Sequence, residues 1–161
     1  MKQADRAVKL LFKHNLTIAT AESCTGGMIA SELVHFSGIS AHFREGFVTY
    51  SNDSKIKNLG VKAKTLDSCG AVSAETAAQM AAGVKKVSGS DIGIATTGIA
   101  GPDGGTSEKP VGLVFIGCAY QDKVVIRRFV FSGNRYQVRL MAVKQAFQLI
   151  CDVVKPGKIL V

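Results

Sequence analysis

"LTIATAESCTGGMIASELVHF", residues 16–36, decides how the chain is read. Its opening residues are apolar or β-favouring and form a run short enough for a buried strand. A carboxylate, a hydroxyl, a thiol, a second hydroxyl and two glycines follow, and then a run with helical spacing. A strand that passes through a tight turn of small residues into a helix opens an α/β unit. The turn itself, AESCTGG (21–27), has three readings. It can carry a nucleophile, hold an anion on backbone N–H groups where the helix dipole favours negative charge, or simply cap a helix. Its spacing is neither the phosphate-binding GxxxxGK[ST] nor the nucleophile turn GxSxG. Taken alone, the stretch favours the cap.

Outward from this turn the same alternation repeats. Residues 3–14 read as a helix with Ala7, Leu10, Leu11 and His14 on one face, and 25–36 as a second helix. HFREGFVTY (42–50) alternates as a strand and leads to a short helix capped by Asn52 or Asp53. Residues 62–68 form another short helical piece. Ser73 caps an alanine-rich helix that runs to Val87 and stops at Gly89. DIGIAT (91–96) is a second buried strand, and a glycine-rich loop follows it. VGLVFIGCAY and KVVIRRFVF pair as a hairpin across Gln121 and Asp122. A closing helix from Asn134 to Val154 places Tyr136, Leu140, Phe147 and Ile150 or Cys151 at helical spacing, with Pro156 and Gly157 ending it. Helices alternating with strands predict an α/β sandwich, and the late hairpin makes its sheet mixed.

Composition bounds the partners. At 161 residues the expectation is one domain, 1–161, with a real core, and 47% apolar against 20% charged residues is globular. No start segment resembles a signal peptide and no apolar run approaches about 18 residues, so a cytoplasmic protein without a membrane span is expected. Four cysteines, Cys24, Cys69, Cys118 and Cys151, lack CxxC spacing and read as reduced thiols. The net charge of +8 fits a phosphate-bearing small molecule or a solvated basic surface. Nucleic acid is not favoured, because three tyrosines and no tryptophan leave the basic residues without stacking partners.

Three stretches could carry chemistry. In the first, Ser23, Cys24 and Thr25 stand between strand and helix. A catalytic cysteine needs a base, and His14, His35 and His42 sit on helix or strand faces without a triad-like setting. A serine without a histidine can use a lysine whose pKa burial has lowered. Bringing a lysine from ~10.4 to ~7–8 costs about 4 kcal/mol, so only a buried, hydrogen-bonded site sustains it. The second stretch, FVTYSNDSK (47–55), offers such a lysine in Lys55, with Tyr50 near enough to share a proton network. Lys55 and Lys57 as two solvated lysines on a short helix is the plainer alternative. The third stretch, TTGIAGPDGGTSEKPVG (96–112), has five glycines and two prolines after a buried strand. Its backbone can approach a ligand closely, and so long a loop is uncommon in a compact domain. It contains no GxGxxG opening a helix, which excludes a dinucleotide fold.

AESCTGG, FREGFVTYSNDSK, GAVS and TGIAGPDGG…KPVG, in this order, resemble the CinA family C-terminal domain, a family that includes a stand-alone nicotinamide mononucleotide amidohydrolase. The match covers residues 5–150, and the tail KPGKILV matches nothing. The resemblance implies a three-layer α/β/α sandwich and hydrolysis of nicotinamide mononucleotide to nicotinic acid mononucleotide and ammonia. It implies Ser23 rather than Cys24 as nucleophile, Lys55 as base and Tyr50 as an assisting residue. Substrate would be bound by Thr25, Gly26 and Gly27 at the helix start, by Thr97, Gly98 and Gly101 in the glycine loop, and by Arg135 near the phosphate or the catalytic groups. No metal or cofactor is implied. A homodimer is expected. Longer relatives carry an N-terminal domain with pyrophosphatase-type chemistry, which is not transferred here. The alternative function is a non-catalytic nucleotide- or partner-binding domain linked to competence or DNA damage.

Overall fold

A computed structural model describes residues 1–155, so the expected stop at Pro156 and Gly157 lies outside the described residues. In chain order the elements are α1 (Lys2–His14), β1 (Ile18–Glu22), α2 (Met28–Leu33), a 3₁₀ turn (Ile39–Ala41), β2 (Phe43–Val48), α3 (Asn52–Leu59), α4 (Ala63–Cys69), α5 (Ala74–Ser88), β3 (Ile92–Gly98), β4 (Leu113–Tyr120), β5 (Lys123–Val130) and α6 (Arg135–Val154). The strands form one five-stranded sheet in the order β2-β1-β3-β4-β5. β1 runs parallel to both β2 and β3, whereas β4 runs antiparallel to both of its neighbours, β3 and β5. The result is the expected α/β/α sandwich with a mixed sheet.

The two faces of the sheet are built from different side chains. Ile18, Ile92, Ile94, Ile116 and Cys118 meet α1, α2 and α6 in the larger core, where Leu11, Leu33, Phe147 and Ile150 are fully buried. The opposite face carries Ala19, Ala21, Ala95 and Ala119 beneath Met80, Ala81 and Val84 of α5. Small residues there bring helix and sheet backbones close together. A Cβ on Gly93 would lie 2.2 Å from the Ala81 carbonyl oxygen, and one on Gly117 2.6 Å from that of Ala77. Because β1, β2 and β3 are parallel, their carboxyl ends open at one edge, where ligands of open α/β sheets bind.

Local chemistry moves several expected boundaries. α2 begins at Met28, not at residue 25, since Gly26 and Gly27 take positive φ values of 58° and 93° in the preceding turn. Ser51, not Asn52 or Asp53, caps α3, its hydroxyl accepting from Ser54 N–H at 3.1 Å. Ser73 caps α5 as expected, and Gly89 closes it in the left-handed region. On α6 the buried face runs through Val138, Ala142, Ala146 and Phe147, whereas Tyr136 and Leu140 are 62% and 39% exposed. On α1, Ala4, Ala7, Val8 and Leu11 are buried and His14 is exposed. Gln121, at φ 52°, opens the two-residue turn between β4 and β5.

Candidate active site

Ser23 follows β1 directly and is anchored by its own N–H, which donates to Thr96 O on β3 at 3.0 Å. Thirty-two residues on, Lys55 occupies the first turn of α3. The Ser51 cap starts that helix so that the Lys55 side chain turns inward, and the residue is 1% exposed. Its Nζ lies 3.2 Å from Ser23 Oγ and donates to the main-chain carbonyls of Thr49 at 2.8 Å and Tyr50 at 3.3 Å. No carboxylate pairs with Lys55 among the described residues. Burial therefore lowers its pKa from the ordinary lysine value. A neutral amine has two N–H groups and one lone pair. With two carbonyls taking the N–H groups, the lone pair is left for the Ser23 hydroxyl.

The neighbouring thiol is in the opposite condition. Cys24 is buried, and burial, reinforced by the Glu22 charge, pushes its pKa up to about 11. A thiol at that value is no nucleophile at neutral pH. The histidines supply no base either: His42 Nδ1 is 2.8 Å from Leu16 O, and His14 and His35 are exposed.

A cavity of about 270 Å³ opens over Ser23 and Lys55. Its wall includes Cys24, Tyr50, Val72, Thr97, Gly98, Ile99, Gly101, Asp103 and Arg135. Thr97 is turned away from solvent and donates to Ala71 O at 2.7 Å, tying the end of β3 to the GAVS stretch. Lys109 secures the far end of the glycine loop by donating to Cys69 O at 2.6 Å. Arg135, at the start of α6, donates to Gly101 O at 2.8 Å and to the Tyr50 hydroxyl at 3.1 Å. The Tyr50 phenol thus faces Arg135, and it is the Tyr50 carbonyl that meets Lys55.

Thr25, Gly26 and Gly27 do not reach the cavity wall. The Thr25 hydroxyl is buried between Glu22, at 2.6 Å, and Thr96, at 2.7 Å. Gly26 N–H bonds Ser23 O, and the N–H groups of Gly27, Ile29 and Ala30 all donate to the Glu22 carboxylate. The helix start expected to bind substrate is therefore filled by a side chain of the same turn. Cys24 stands next to Ser23 on the cavity wall, and its amide donates to no other residue among those described. Two residues of this region escaped the sequence reading. Glu22 stands in AESCTGG with nothing local to show its task, and Arg139, one turn beyond Arg135, donates to the carbonyls of Cys24 and Thr25.

Comparison with known proteins gives the arrangement a family. Residues 1–154 match the family described as the CinA C-terminal domain. The chain belongs to that family. A Clostridium novyi protein bearing the name competence-damage inducible protein is 56% identical over 140 residues, which are 87% of this chain and 34% of that protein. An Acetivibrio thermocellus relative of the same name is 52% identical over 144 residues, 89% of this chain and 35% of the relative. The chain thus spans about a third of the length of these curated relatives. Among solved structures, the competence/damage inducible protein CihA from Agrobacterium tumefaciens superposes with a TM-score of 0.93 at 40% identity, covering 96% of this chain and 94% of that one. A competence damage-inducible protein A from Klebsiella pneumoniae gives 0.92 at 30% identity, covering 98% of each chain. No helix among the described residues of this family member is long and apolar enough to cross a membrane.

Proposed function

We propose that this CinA-family domain is a serine–lysine amidohydrolase that converts nicotinamide mononucleotide to nicotinic acid mononucleotide and ammonia. The observation that carries the reading is the buried Lys55 amine, 3.2 Å from Ser23 Oγ and without a carboxylate partner. A lysine buried without a carboxylate partner carries a desolvation cost that its two carbonyl contacts, which need no charged donor, do not account for.

Neutral Lys55 takes the Ser23 proton as Oγ bonds to the carboxamide carbon. The carbonyl π electrons move to oxygen, where the Cys24 N–H meets the developing charge. One such donor is worth about 3 kcal/mol. The Lys55 ammonium then protonates the nitrogen as the C–N bond breaks, and ammonia leaves. Water attacks the acyl-serine, Lys55 takes its proton, and Ser23 is restored as the acid departs. Arg135, exposed at the mouth, suits the substrate phosphate, and Tyr50 braces that guanidinium. Thr97, Gly98 and Gly101 line the cavity and on this reading bound the nicotinamide ring. Thr25, Gly26 and Gly27 shape the nucleophile turn instead of touching substrate.

Ammonia release from nicotinamide mononucleotide tests this, using wild type, Ser23→Ala and Cys24→Ala with a chelator present. Turnover lost only in Ser23→Ala supports the assignment, and an inactive, folded wild type overturns it for this substrate. The relatives' names suggest a second reading, a binding domain tied to competence or damage, and on that reading Ser23→Ala would be silent.

A further inference from the structure

The hydrolase mechanism uses Ser23 and Lys55 and leaves a buried carboxylate without a task. Glu22, the last residue of β1, is fully buried. One carboxylate oxygen accepts from the Thr25 hydroxyl at 2.6 Å and from Gly27 and Ile29 N–H at 3.0 Å each. The other accepts from Ala30 N–H at 2.9 Å. Arg139 grips the same turn from its acceptor side, with Nε 3.0 Å from Cys24 O and Nη2 2.9 Å from Thr25 O. The donors of the turn are held by a carboxylate and its acceptors by a guanidinium.

Such an arrangement exceeds what the local fold needs. α2 is six residues long, and a neutral serine or threonine cap serves a helix of that size. A buried carboxylate carries a far larger desolvation cost than a hydroxyl, offset here by four donors. What the extra charge provides is stiffness, applied to the residues on both sides of Ser23. Neither Glu22 nor Arg139 reaches the cavity wall, so both act through the turn.

We propose that Glu22 and Arg139 are positioning residues that lock the 22–27 turn so that Ser23 Oγ faces the Lys55 amine. The proposal rests on the hydrolase reading. A shift of about 1 Å in a reacting group costs on the order of a hundredfold in rate, so loosening the turn should act on rate and not on binding. Glu22→Gln is the informative change. It keeps the shape, but its amide nitrogen must confront at least one N–H donor that the carboxylate now accepts.

The test is covalent labelling with an arylsulfonyl fluoride, in which Ser23 Oγ bonds to sulfur, fluoride leaves, and the serine proton passes to Lys55. Intact-mass spectrometry gives the rate and the final fraction labelled, with Ser23→Ala as the blank, and ammonia release gives kcat and KM. For folded Glu22→Gln and Arg139→Ala we expect labelling and kcat each slowed at least tenfold, with full labelling still reached and KM unchanged. A purely structural role would instead lower the fraction labelled and leave the rate per competent site at its wild-type value, and that result overturns the proposal. Thr25 supplies the control should Glu22→Gln fail to fold. Thr25→Ser, which keeps the hydroxyl, should react at the wild-type rate, and Thr25→Val should react slowly. Equal rates for that pair would also overturn the proposal. A wild type that neither labels nor releases ammonia overturns the hydrolase reading, and the positioning role with it. A wild type that labels but releases no ammonia overturns only the substrate assignment.

Discussion

The Lys55 amine stands 3.2 Å from Ser23 Oγ, and its other two contacts are main-chain carbonyls, those of Thr49 and Tyr50. Carbonyls accept from an amine in either protonation state, whereas a carboxylate would have held the proton on. Burial then decides the direction, and the pKa falls below the ordinary lysine value of 10.5. Turnover should therefore rise with pH and level off once Lys55 is neutral, at a pH below that value. A kcat/KM profile measures this. Lys55→Met should lose roughly 10²–10⁴-fold in rate and the basic limb with it. Lys55→Arg should do no better, since a guanidinium does not give up its proton.

The same shift predicts how stability depends on pH. The unfolded chain keeps the Lys55 proton up to 10.5, and the folded chain releases it earlier. Between the folded and unfolded values the unfolded state binds more protons, so the Lys55 contribution makes stability rise with pH there and flatten above 10.5. Lys55→Met should show a shallower rise over that window. Urea titrations at several pH values across it give the slope directly. Equal slopes in the two proteins would contradict a lowered Lys55 pKa.

Ser23 and Cys24 are adjacent in sequence and opposite in expected behaviour. The Cys24 pKa of about 11 leaves almost no thiolate at pH 8, so iodoacetamide should modify it far more slowly than a free cysteine. Cys24→Ala should retain most activity, and Ser23→Ala should lose it by roughly 10³-fold or more. Peptide mapping after alkylation and ammonia release by the two variants check both statements.

Arg135 ties Gly101 to Tyr50 across the cavity mouth. If its guanidinium also meets the substrate phosphate, Arg135→Ala should raise KM for nicotinamide mononucleotide by roughly 10-fold or more, the worth of a hydrogen bond to a charged group. Nicotinamide riboside, which lacks the phosphate, should be hydrolysed equally by wild type and variant. A parallel loss on both substrates would place Arg135 with the catalytic groups instead.

What the sequence could reveal follows from the range of each interaction. The alternation of strands and helices, the turn at Gln121 and Asp122, and the cap at Ser73 depend on neighbours a few residues apart, and all were legible. The cap of α3 was misplaced because Ser51, Asn52 and Asp53 are all good capping residues. The choice among them falls to whichever side chain meets the Ser54 amide. Tyr136 and Leu140 have helical spacing, but in the first turns of α6 the core takes the face of Val138 and Ala142, so that spacing buries nothing there. Glu22 was hidden because its partners are amides five, seven and eight residues ahead, brought together only when the strand turns into α2. The Ser23–Lys55 contact, 32 residues apart, came from the family resemblance and not from any local pattern.

The close packing of α5 makes a last prediction whose sign separates geometry from propensity. Gly83 lies inside α5, and replacing a mid-helix glycine by alanine ordinarily stabilises by about 1 kcal/mol. Here a Cβ would lie 2.0 Å from Leu59 O at the end of α3, a backbone atom that cannot swing aside. The two helices would have to separate, and overpacking of this kind costs about 1–3 kcal/mol. Gly83→Ala should therefore lower Tm despite its better helix propensity. Because α3 carries Lys55, the displacement should also lengthen the Lys55–Ser23 contact and slow turnover. Thermal unfolding and ammonia release on the purified variant read the two effects separately. A variant more stable than wild type would show that α3 rests less tightly on α5 than this contact requires.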